Sequence, residues 1–102
     1  MEQEATSLKD RIQARNEIKE PRMFKVYVIN DDVTDFDFVV KVLENSFGKS
    51  KGEAESIANE THNTGKGLAG IYSYDMAHTK VAKATQAARS HGFPLRFTIV
   101  AE

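Results

Sequence analysis

The run Met-Phe-Lys-Val-Tyr-Val-Ile-Asn at residues 23–30 constrains the fold most, because its β-branched and aromatic residues are typical of a strand. The run stops at two aspartates, as a strand does where it enters a loop. The glycine-punctuated stretch 67–73 predicts a second strand or a bend where the backbone approaches a neighbour closely. Apolar and polar residues alternate over residues 95–99, and this alternation predicts a closing strand.

A helical pattern follows the two aspartates. Thr34 is placed to cap this helix, with Asp37 three residues later in an acidic variant of the capping box. Gly48 is expected to end it. The residues of its predicted apolar face are Phe36, Val39, Val40, Leu43 and Phe47.

Two further helices are expected after Gly48. Ser50 and Glu53 form a capping box for a helix that Gly65 closes. Ser73 is placed to cap the next helix, which a glycine and Pro94 stop. The predicted inward-facing residues are Ala54, Ile57, Ala58 and Thr61 of the second helix and Met76, Val81, Ala84 and Ala88 of the third. The element order predicts an α+β fold in which three helices pack on one face of a three-stranded antiparallel sheet.

Composition limits the possible functions. A chain of 102 residues is large enough for one core, and a formal net charge of -1 does not favour binding of nucleic acid or of an acidic membrane. The chain has no cysteine, which excludes disulfides and thiolate zinc sites. Residues 1–21 combine many charges with few aliphatic residues, so we expect a flexible N-terminal arm before a domain at 22–102. A monomer in the cytoplasm, without a cofactor, is the expectation.

One polar cluster could carry chemistry. Asn30, Asp31 and Asp32 follow the first strand, and His62 lies beside the apolar face of the second helix. Two adjacent aspartates and one imidazole give an incomplete shell for a metal ion, so we predict no metal site, although a small metal-dependent enzyme stays an alternative. Acid–base catalysis by Asp31 and His62 is chemically possible, but the sequence places no third group to orient the histidine.

Residues 21–95 resemble the ClpS adaptor family. The resemblance rests on the Asn-Asp-Asp-Val-Thr block at 30–34 combined with His-Asn-Thr-Gly-Lys-Gly at 62–67, since either half alone is a weak signal. Further matches are Pro-Arg-Met-Phe-Lys-Val at 21–26, Phe-Val-Val at 38–40, Gly70, Lys80 and Pro94-Leu95. The resemblance implies a fold like the C-terminal domain of the ribosomal stalk protein. It also implies an adaptor, with no enzymatic activity, that presents substrates to an ATP-driven protease.

The resemblance also assigns roles to residues. Asn30, Asp31 and His62 inherit the binding of a substrate's α-amino group, and Asp32 supports their loop. Asp75 and Lys80 match positions that dock on the N-terminal domain of a ClpA- or ClpC-like AAA+ unfoldase, which the arm engages during delivery. The pocket for the first side chain would be formed by Ile29, Thr34, Phe36, Val39, Ala58, Thr61 and Leu95.

The pocket departs from the family pattern at three positions. Phe36 stiffens the rim, Ala58 enlarges the space, and Thr61 offers a hydroxyl group to a Tyr or Trp donor. We therefore expect N-degrons that begin with Phe, Tyr, Trp or Leu, with the aromatic residues favoured over Leu. The same departures support an alternative, a regulator of the unfoldase whose pocket is altered beyond use.

Overall fold

The computed structural model describes residues 22–102, and the predicted arm at 1–21 lies outside this range. The described part of the chain folds in the order strand, two helices, strand, helix, strand. The elements are β1 (Met23–Ile29), α1 (Phe36–Phe47), α2 (Lys51–Thr64), β2 (Lys66–Ser73), α3 (Tyr74–Ser90) and β3 (Arg96–Ala101). The predicted α+β architecture is therefore confirmed. Within residues 22–102, no helix is both long enough and apolar enough to cross a bilayer.

β1 is the central strand of the sheet. It pairs antiparallel with β2 on one side and with β3 on the other. Val26 and Val28 on one face of β1 are completely buried, whereas Lys25 and Tyr27 on the other face are only half-buried. This difference arises because the helices cover one face of the sheet, as the alternation of apolar residues along the strand requires.

The apolar stripe of α1 supplies much of the core. Leu43 is completely buried and Phe47 nearly so, while Phe36 at the start of the helix is 39% exposed. Phe36 was predicted to belong to the buried face, and this part of the prediction is wrong because the residue lies at the helix terminus beside an open cleft. Gly48 ends the helix with φ of 64°, a left-handed conformation that glycine adopts without strain.

The capping box of α2 forms as predicted. The Ser50 hydroxyl accepts a hydrogen bond from the Glu53 amide at 3.2 Å, and the Glu53 carboxylate accepts one from the Ser50 amide at 3.0 Å. Ala54 and Ala58 face the core, and Gly65 ends the helix. The capping box satisfies two backbone donors at the helix start, the N–H groups of Ser50 and Glu53.

α3 differs from the prediction in its inward face. Met76 is 49% exposed, and the completely buried residue of this turn is its neighbour Ala77. The small side chain lets the helix approach the sheet closely, so the longer methionine is left on the outside. Ser73 occupies the N-cap position, yet its side chain makes no capping hydrogen bond.

The turn from α3 into β3 is held by one side chain. The Arg89 guanidinium donates hydrogen bonds to the carbonyls of Phe93 and Leu95.

Candidate functional site

The loop after β1 is organised by one carboxylate. Asp31 Oδ1 accepts hydrogen bonds from the amides of Val33 at 2.9 Å and Thr34 at 2.6 Å, and its Oδ2 accepts the Thr34 hydroxyl at 2.7 Å. A carboxylate has about four acceptor positions, so one position on Oδ2 is left for another donor. The loop is thus held by its own hydrogen bonds around an acceptor that is not saturated.

The same hydrogen bonds explain why the predicted cap of α1 is wrong. The Thr34 hydroxyl donates a hydrogen bond to Asp31, and the N-cap residue is Asp35, whose side chain makes no capping bond. The predicted partner Asp37 lies in the first turn of the helix as an acidic residue. β1 also ends one residue earlier than predicted, at Ile29, so Asn30 belongs to the loop.

Asp31 is kept ionised by its surroundings. Partial burial on its own raises the Asp31 pKa, but hydrogen bonds from Thr34 and Val33, together with the positive charge of Arg96, outweigh that effect. The pKa of the Asp31 carboxyl is therefore below its ordinary value. At neutral pH the loop presents a fixed negative charge.

The end of α2 lies against the same loop. The backbone N–H of Asn30 donates a hydrogen bond to the Gly65 carbonyl at 2.9 Å, which joins the residue after β1 to the residue that ends α2. Gly65 has φ of 96°, a conformation that favours glycine. His62 lies one turn before this point and is exposed. The two halves of the sequence motif are thus joined by a backbone hydrogen bond.

A cleft of about 390 Å³ lies between the loop and the two helices. Its apolar wall is formed by α1 and α2, with Val39 8% exposed and Ala58 2% exposed. The exposed ring of Phe36 lies at one side. The complete set of lining residues is Asn30, Asp31, Asp32, Val33, Thr34, Asp35, Phe36, Val39, Ala58, Thr61 and His62. Polar acceptors and an apolar wall thus face one shared space.

Most of the residues singled out in the sequence line this cleft, but two do not. Leu95 is 1% exposed and packs in the core, and Ile29 is the last residue of β1; neither is among the lining residues. Val33 and Asp35 line the cleft and were missed. The signal that could have found them is their position inside the block 30–34 and directly after it.

The two residues expected to dock on the unfoldase lie outside the cleft. Asp75 lies exposed in the first turn of α3, and the Lys80 ammonium lies 5.1 Å from the centre of the Tyr72 ring. Over residues 22–102, no three histidine, cysteine, aspartate or glutamate side chains are grouped closely enough to hold a metal ion.

Comparison with known proteins identifies the family. The family described as "ATP-dependent Clp protease adaptor protein ClpS" matches residues 19–98. The chain belongs to the ClpS family. The ClpS adapter protein of Deinococcus radiodurans is 49% identical over 88 residues, which cover 86% of this chain and 76% of the relative. That of Clostridium acetobutylicum is 38% identical over 94 residues, which cover 92% of this chain and 93% of the relative.

A solved ClpS structure has the same fold. The structure of Agrobacterium tumefaciens ClpS2 bound to L-phenylalaninamide superposes with a TM-score of 0.78 at 34% sequence identity. The alignment covers 81% of this chain and 100% of that one. The family membership and the fold predicted from the sequence are both confirmed.

Proposed function

We propose that this ClpS-family chain binds proteins through their first residue and delivers them to an AAA+ Clp unfoldase–protease. The observation that carries the proposal is the cleft in which Asn30, Asp31 and His62 adjoin an apolar wall. A free α-amine has a pKa of about 8, so it is a compact cation with three donors at neutral pH. An internal residue has no such group, so the polar side of the cleft selects chain ends.

The three polar residues suit the three amine donors. Asp31 supplies an ionised oxygen with one open acceptor position, Asn30 supplies an amide oxygen, and the exposed His62 ring supplies a nitrogen. Charge-assisted hydrogen bonds contribute about 1.5–3 kcal/mol each, and burial of one large apolar side chain contributes a similar amount. Affinity in the micromolar range follows without any covalent step.

The apolar wall reads the first side chain. Val39, Ala58 and Thr61 are each at least nine-tenths buried and face the cleft, so a bulky hydrophobic residue fits the site best. We assign Phe, Tyr, Trp and Leu as the substrate class, with aromatic residues favoured. L-Phenylalaninamide in the structure of the Agrobacterium tumefaciens relative combines a free α-amine with an aromatic side chain, which supports this assignment.

Fluorescence anisotropy with labelled ten-residue peptides tests the proposal. A peptide with a free N-terminal Phe should bind at micromolar concentration, and its N-acetylated form should not. Asp31→Ala should weaken binding by at least about 10-fold, because it removes one charge-assisted bond to the amine and also the three hydrogen bonds that hold the loop. Asp37→Asn is the matched control, because it removes an exposed charge of the same sign from α1 without touching the cleft.

The outcome also separates the adaptor from its alternative. Failure of every free-amine peptide to bind the wild-type chain would instead favour a regulator of the unfoldase, with Phe36, Ala58 and Thr61 as the altered positions. Equal binding of acetylated and free peptides would contradict recognition of the amine.

Delivery needs a second surface, which we place on α3. Asp75 is exposed there, and Lys80 holds its ammonium near the Tyr72 ring. Charge reversal by Asp75→Lys or Lys80→Glu should weaken capture by the N-terminal domain of a ClpA- or ClpC-like unfoldase in a pull-down assay. Peptide binding measured by anisotropy should be unchanged, because neither residue lines the cleft. Capture at the wild-type level by both variants would refute this placement.

A further inference from the structure

We propose that Thr61 presents only its methyl group to a bound side chain, so that the cleft selects first residues by shape. The proposal rests on the proposed function, because it concerns how the same cleft distinguishes one N-terminal residue from another. It differs from the role expected from the sequence, in which the Thr61 hydroxyl receives a hydrogen bond from Tyr or Trp.

The Thr61 hydroxyl is already engaged within α2. It donates to the Ile57 carbonyl at 2.8 Å, one turn earlier in the helix, and the residue is only 3% exposed. Such a bond fixes the side-chain rotamer, because the hydroxyl must lie along the helix surface to reach that carbonyl. The direction of both branches of the threonine side chain is therefore set by the helix itself.

Gly67 shows where that hydroxyl points. A Cβ atom built on Gly67 would collide with Thr61 Oγ1 and would lie 2.8 Å from the Ile57 carbonyl oxygen. The hydroxyl thus lies against the backbone of β2, and Gly67 is not among the residues that line the cleft. Since threonine has two branches at Cβ, the branch left for the cleft is the methyl group.

No other side chain of the apolar wall offers a hydrogen-bonding group in place of the Thr61 hydroxyl. Apart from His62, the cleft residues of α1 and α2 are Phe36, Val39, Ala58 and Thr61. A Tyr hydroxyl or a Trp N–H that enters beside this wall gains no bond from it, and a buried polar group without a partner is unfavourable. This wall should therefore give a Tyr peptide no advantage over the matching Phe peptide.

Two substitutions at Thr61 separate the hydroxyl from the methyl group. Thr61→Val keeps the branched shape and deletes the hydroxyl, whereas Thr61→Ser keeps the hydroxyl and deletes the methyl. In the anisotropy assay, Thr61→Val should leave the Tyr-to-Phe and Trp-to-Phe ratios of Kd within twofold of wild type. Thr61→Ser should weaken Phe, Tyr and Trp peptides alike by about fourfold, the equivalent of one methyl group removed from the wall.

The possible outcomes point in different directions. A rise of fivefold or more in the Kd of Tyr or Trp relative to Phe in Thr61→Val would place the hydroxyl in the cleft and overturn the proposal. Unchanged binding by Thr61→Ser would overturn it as well, because the methyl group would then not be part of the wall. Thermal melts of both variants verify that the fold is intact. Failure of the wild-type chain to bind any free-amine peptide is a different result, which removes the proposed function and this inference together.

Discussion

Substitution of Gly67 by Ala tests the close packing of α2 on β2. Gly67 is buried, and an added methyl group would overlap Thr61 Oγ1, lie 2.8 Å from the Ile57 carbonyl oxygen and lie 3.2 Å from Ile57 Cγ2. The carbonyl belongs to the helix backbone and cannot turn aside as a flexible side chain would. The helix and the strand must therefore separate slightly to admit the methyl group.

Overpacking of this kind costs about 1–3 kcal/mol of unfolding free energy. For a domain of this size, each kcal/mol corresponds to about 4–8 °C in Tm, so Gly67→Ala should lower Tm by roughly 4–24 °C. Urea denaturation followed by far-ultraviolet circular dichroism measures the free energy directly. Gly52→Ala, in α2, is the control: its Cβ would meet nothing within 4 Å, so it should stabilise the fold by about 0.5–1 kcal/mol.

The two glycine variants should thus change stability in opposite directions. An unfolding free energy of Gly67→Ala within about 0.5 kcal/mol of wild type, as for an ordinary surface substitution, would refute the argument. A double-mutant cycle adds a second check. Thr61→Ala removes the atom that the new methyl group overlaps, so Gly67→Ala should cost less in that background than in the wild type.

Three further predictions concern stability. Ser50→Ala should lower the unfolding free energy by about 1 kcal/mol through loss of the cap on α2, whereas an unchanged urea midpoint would contradict the role of the capping box. Leu95→Ala should destabilise the fold by about 2–5 kcal/mol, while the folded fraction keeps its peptide Kd; a selective loss of binding would return Leu95 to the cleft wall. Burial raises the Asp31 pKa, but the hydrogen bonds outweigh it, so the folded pKa is lower than the unfolded value of about 3.9. The ionised carboxylate therefore stabilises the fold above about pH 3.9, and this contribution is lost as the pH falls through the folded pKa. The stability difference between wild type and Asp31→Asn in urea should accordingly shrink from pH 6 to below pH 4, and a constant difference would contradict the shift.

Capping residues and helix-ending glycines predicted the helix ends correctly where no other side chain nearby competed for the capping group. Ser50 and Glu53 satisfy each other, and Gly48 and Gly65 end their helices with positive φ as expected. Thr34 also lies at a typical cap position, but its hydroxyl donates a hydrogen bond to the Asp31 carboxylate three residues earlier. Sequence spacing cannot tell which of two nearby partners a hydroxyl will choose, because the choice depends on the path of the loop.

The resemblance predicted residues on both sides of the cleft, although the loop and α2 lie far apart in the chain. Val33 and Asp35 were missed although they lie within the loop, since neither residue type signals binding on its own. The resemblance assigned Leu95 to the pocket, but the structure buries it in the core, where Arg89 holds its backbone carbonyl. The orientation of Thr61 could not be predicted at all, because it depends on the approach of a strand from another part of the sequence.

The hydrogen bonds that Asp31 receives from its own loop have a kinetic consequence. The carboxylate is already oriented before any ligand arrives, so association need not wait for the loop to rearrange. Association rate constants should then be in the ordinary range of about 10⁵–10⁷ M⁻¹s⁻¹ and differ little among peptides. Discrimination between one first residue and another would be expressed in how long each peptide stays bound. In the proposed delivery, this residence time would also limit how long the unfoldase has to engage the substrate.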